Sequence, residues 1–121
     1  MWKGRGEPDR RRNMFGGLGE VRVWSLMDGE LPPFDCVLGC ELDAAGTVGV
    51  HVQDRCDEIV VVTEGRGDAR VGHDVIALEP GVVVRLPLGE SLALRNGSQT
   101  DVLRYLIVKA VHFNEAASGS P

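Results

Sequence analysis

Residues 46–65 read GTVGVHVQDRCDEIVVVTEG. Glycines close both ends of this stretch, and inside it lie two short apolar runs, residues 47–53 and 58–63. Neither run has a helical period, and both are rich in valine, whose branched Cβ favours strands. Alternate side chains of a strand share a face, so His51 and Gln53 point the same way. Glu58 opens the next run after a four-residue connection, 54–57, short enough to bring its carboxylate beside them.

The same pattern extends outward in both directions. Strand-like runs occupy residues 21–26, 36–42, 69–71, 75–78, 82–86, 92–95 and 102–111. Turn residues separate them: Asp43-Ala44-Ala45-Gly46, Gly72-His73-Asp74, Pro80-Gly81 and Asn96-Gly97. About nine short strands with turns at this spacing predict an all-β sandwich or barrel. Closure would hide the edges of the valine-rich strands. Aromatic residues are only 5% of the chain, so aliphatic side chains have to fill the core.

The 121 residues make one domain. Residues 1–19 read as a flexible, basic, glycine-rich arm, 20–113 as the barrel and 114–121 as a loose tail. Lys3, Arg5 and Arg10 to Arg12 give the arm its charge, as a solvated tail or as an arm docked on an acidic surface. The Arg triplet is followed by a glycine-rich stretch without an apolar core, which argues against an export signal. A net charge of −5 speaks against nucleic acid or an anionic membrane as partner. No apolar run has the length of a membrane helix. The odd set Cys36, Cys40 and Cys56 reads as reduced core thiols, and a cytoplasmic location follows.

Two stretches resemble the paired signature of the cupin superfamily. The first family pattern is Gly, five residues, His-x-His, three or four residues, Glu, six residues, Gly. Here Gly46, His51, Gln53, Glu58 and Gly65 stand in those places, with the leading glycine one residue closer and Gln53 in place of the second histidine. The second pattern is Gly, five residues, Pro-x-Gly, two residues, His, three residues, Asn. Gly81, Pro87, Gly89 and Asn96 match it, and Leu92 stands where the histidine belongs. The resemblance covers residues 21–111. It implies a cupin-type antiparallel β-barrel, also described as a jelly roll or double-stranded β-helix.

In that family the histidines and the glutamate hold a divalent ion such as iron, manganese, nickel or zinc, which suits imidazole and carboxylate ligands. This chain keeps His51 and Glu58, offers a neutral carbonyl at Gln53 and nothing at Leu92. The expected metal site is therefore weak and incomplete, with Cys36, Cys40 or Tyr105 as substitutes to be placed. His73, in a turn, and His112, near the end, carry little weight. Without metal, His51 and Glu58 could work as base and acid. The first reading of function is a small-molecule-binding cupin, with Leu92 and Leu94 as cavity wall and His51, Gln53 and Glu58 as its polar cluster. The alternative is an enzyme: an oxygenase with a reduced ligand set, or a metal-free isomerase, cyclase or lyase. A structural protein with a filled barrel is the third. Arg85 reads as outward-facing, and Asn96 as a turn cap. The family also implies a homodimer, with residues 21–26 around Trp24 as the strand that joins the partner.

Overall fold

The computed structural model describes residue 2 and residues 5–113. Ten strands fold into two antiparallel sheets that close as a jelly-roll barrel. In chain order they are β1 Asp9–Arg12, β2 Glu20–Ser25, β3 Phe34–Leu42, β4 Thr47–Val52, β5 Cys56–Glu64, β6 Gly67–Val71, β7 Asp74–Leu78, β8 Val83–Leu86, β9 Ser91–Asn96 and β10 Leu103–Val111. One sheet runs β1-β2-β3-β10-β5-β8, the other β4-β9-β6-β7. The expected strands are all present, and β1 is added to them. Among the described residues no helix is long and apolar enough to cross a membrane.

Alternation decides which side chains reach the core. Val60 and Val62 of β5 are buried while Ile59 and Thr63 face out. Val84 and Leu86 of β8 are buried, and Arg85 between them is exposed, as expected. The strand register then stacks the inward residues of the larger sheet into rows. Leu42 pairs with Leu103, Cys40 with Tyr105 and Leu38 with Ile107. Beyond Ile107 and Tyr105 lie Val60 and Val62. The last row is Cys36, Lys109 and Glu58, so an apolar stack ends in a polar row at one end of the barrel.

Two expectations about the chain's beginning are corrected. Residues 9–19 do not form a loose arm. β1 pairs with β2, and a 3-10 turn, Met14–Gly16, packs on β4. The basic residues find acids on their own barrel: Arg5 meets Asp28 at 3.0 Å and Arg10 meets Glu20 at 2.8 Å. Backbone pairing and these contacts hold what composition alone reads as solvated. Second, β2 is bonded on one side to β1 and on the other to β3. Both of its edges are taken within the chain, so the strand around Trp24 has none left for a partner's sheet. Lys3 and residues 114–121, the expected tail, lie outside the described residues.

Candidate functional site

The barrel encloses a cavity of about 130 Å³. Its walls are apolar: Val48, Leu92, Leu94 and Ile107 among others. Its polar lining comes from Cys40, His51, Glu58, Tyr105 and Lys109, with Arg11 at the rim. A wider hollow of about 300 Å³ lies at the mouth and shares Phe15, His51 and Lys109 with the cavity. Gln53 lines this mouth.

Each polar group reaches its place through local backbone geometry. β4 pairs with β9 so that Val48 faces Leu94 and His51 faces Leu92, with a register slip between the two pairs. Strict alternation would turn residues three apart to opposite faces. The slip acts as a bulge, which re-aims His51 to the interior beside Val48. Phe15 then covers the imidazole, the rings stacked 4.3 Å apart and 15° from parallel. Gly49 permits this, because a Cβ there would collide with the Phe15 carbonyl. Phe15 holds φ +53°, a left-handed conformation that costs a large residue about 1–3 kcal/mol.

Glu58 is buried and is bonded to Gln53, whose Nε2 donates to Oε1 at 2.6 Å. The Lys109 ammonium stands 4.0 Å from the same oxygen. Burial raises the Glu58 carboxyl above its ordinary value, while Lys109 and the Gln53 hydrogen bond pull it back. Burial lowers the His51 imidazole. The nearby Gly49 backbone opposes this through a contact that falls short of hydrogen-bond geometry, and Lys109 reinforces it. His51 Nδ1 is buried with no hydrogen-bond partner among the described residues. The Glu58 carboxylate thus holds Gln53, and no hydrogen bond joins it to the His51 imidazole among the described residues.

The other expected residues separate by position. Leu92 and Leu94 form cavity wall, but Leu92 is the cross-strand neighbour of His51 rather than a residue on the far side. Cys40 and Tyr105 line the cavity, and burial pushes the Cys40 thiol up to about 12. Cys36 is half-buried beside Lys109 in the polar row. His73 is exposed in its turn, and His112 bonds Asp57 at 2.9 Å. Asn96 ties the adjoining turns together, as expected. Lys109 and Phe15 were not anticipated. For Lys109 a signal existed: Leu103, Tyr105, Ile107 and Lys109 alternate, and the inward phase of the first three includes the fourth.

This backbone is similar to that of a predicted oxalate decarboxylase from Thermotoga maritima, with a TM-score of 0.81 at 26% identity over 88% of this chain and 93% of that one. It is also similar to two cupin 2 conserved barrel domain proteins. One, from Rhodopseudomonas palustris, gives a TM-score of 0.71 at 18% identity over 89% of this chain and 72% of that one. The other, from Salinispora arenicola, gives 0.69 at 20% over 88% and 83%. The chain has the cupin fold. No protein-family model and no curated protein matches the sequence.

The donor set of this cupin does not fit the family's metal. Leu92 carries no donor atom at the place of the second-motif histidine. Gln53 turns its amide N–H, not a free carbonyl, toward Glu58, and that carboxylate already has an ammonium beside it. Among the described residues no three His, Cys, Asp or Glu side chains group as a metal site would require.

Proposed function

We propose that this cupin binds a small molecule inside its barrel without chelating a metal. The observation that carries the reading is the pairing of Leu92 with His51 at the head of the cavity. It puts an alkyl wall where a third nitrogen ligand would stand, and leaves one carboxylate, already engaged by Gln53. An apolar cavity with a few convergent polar groups is the usual form of a ligand site. At about 130 Å³ it approaches the roughly 150 Å³ cavity that accepts benzene in another protein. The test is elemental analysis of protein purified without chelator, alongside a thermal-stabilisation screen of small carboxylates, phenols and sugars. We expect metal far below one ion per chain and stabilisation by at least one class. One tightly held ion per chain overturns the reading.

A second reading, a metal-free isomerase, cyclase or lyase, draws on Glu58. A carboxyl raised by burial at a cavity wall holds its proton more tightly than an exposed one, which suits it to act as an acid. Under that reading Glu58→Gln abolishes turnover of a bound ligand while leaving its binding. The donor set speaks against the oxygenase alternative, which needs the metal.

A further inference from the structure

We propose that Lys109 is the built-in cation of this barrel, and that the interior holds a small monocarboxylate. The carboxyl group sits against Lys109 at the mouth, and the hydrocarbon part lies against Leu92, Leu94 and Ile107. The proposal rests on the reading of the interior as a ligand cavity, and adds the class of ligand.

Lys109 sits on β10, the strand between β3 and β5, with Cys36 on one side and Glu58 on the other. Its charge bears on Cys36, Cys40, His51, Cys56 and Glu58, groups from three other strands. It lines both the inner cavity and the mouth hollow. A cation thus already stands among the groups that would surround a metal.

The unused hydrogen-bonding capacity favours an anion. The ammonium has three donors. Among the described residues its one polar contact is the long approach to Glu58 at 4.0 Å. Tyr105, a buried residue, also lines the cavity, and no hydrogen bond from its hydroxyl is found among those residues. His51 Nδ1 is buried and unpartnered as well, and donates or accepts according to its tautomer. Against these the inner cavity sets one carboxylate, Glu58, with Oε1 already taken by Gln53; Asp35 and Asp54 line only the outer hollow. Of the two cations lining the inner cavity, Arg11 is tied to Asp9 at 2.8 Å, which leaves Lys109; Arg55 lines only the outer hollow. A carboxylate fits such donors through charge-assisted hydrogen bonds. A single charge matches the single ammonium, whereas a dianion would bring surplus negative charge beside Glu58. The cavity volume limits the ligand to about the size of benzene.

The experiment is calorimetric titration of the full chain, dialysed against chelator, with pentanoate, pentanamide and 1-pentanol. Wild type should bind pentanoate at least about tenfold more tightly than pentanamide. Lys109→Met keeps the alkyl stem and should lose that preference while still binding 1-pentanol; Lys109→Arg should retain it. Equal affinity of wild type for pentanoate and pentanamide overturns the proposal, as does unchanged pentanoate binding by Lys109→Met or binding that appears only on adding Mn²⁺. In each of those cases the cavity is still shown to bind. If none of the three probes binds wild type, the ligand-cavity reading falls and takes this proposal with it.

Discussion

His51 and Leu92 face each other across the β4–β9 ladder, both inside the barrel and both on the wall of its cavity. A histidine at position 92 would place a second imidazole directly beside the first. Leu92→His is therefore expected to create a divalent-metal site with His51 and Glu58. Titration with Zn²⁺ or Ni²⁺ should give about one ion per chain in the variant and none in wild type. Equal metal uptake by both would show that Leu92 is not what keeps metal out.

Phe15 lies over His51 yet is 55% exposed, so its ring contributes more to the imidazole's surroundings than to the core. Phe15→Ala should change the unfolding free energy by less than about 1 kcal/mol. It should raise the His51 pKa toward the ordinary histidine value, because water reaches the ring and burial is what lowers it now. An NMR titration of the histidine Cε1–H signals reads this directly.

Glu58 gives stability a definite slope with pH. Its carboxyl is raised by burial, so the folded chain holds that proton more tightly than the unfolded chain. Wild type therefore loses stability as pH rises from the ordinary carboxylate value through the raised one. Glu58→Gln resembles the protonated acid and has no such loss. Urea unfolding should show the variant gaining on wild type as pH rises above the ordinary carboxylate value. A gain in the opposite direction would mean that Lys109 outweighs burial.

Asn96 is buried, and its Nδ2 donates to the carbonyls of Leu42 at 3.2 Å, Asp43 at 3.0 Å and Asp101 at 2.8 Å. Its Oδ1 accepts from the Ser98 N–H at 2.9 Å. Asn96→Ala strips partners from buried backbone groups and should cost about 1–3 kcal/mol in a denaturant melt. Ligand binding should survive, since Asn96 lines neither the cavity nor its mouth.

Most of the barrel was legible in the sequence because a strand's inward and outward faces follow from a period of two. Leu92 and Leu94 were read as interior and Arg85 as exterior, and the strands place them so. The paired turn motifs singled out His51, Gln53, Glu58 and Leu92, with glutamine and leucine at two places where the resemblance implies histidine. Residues 9–19 were misread because composition cannot tell a solvated arginine from one that pairs with an acid of the same chain. Arg10 meets Glu20 only after β1 joins β2.

The sequence by itself determined the strands and the leucine at position 92, since each depends on chemistry within a few residues. Only the tertiary structure decided where His51 points and what Glu58 and Lys109 touch. The slip that turns His51 inward exists only in the pairing of β4 with β9. Lys109 becomes the neighbour of Cys36 and Glu58 only when β10 is laid between β3 and β5. Register is a property of two strands at once, and it set the site.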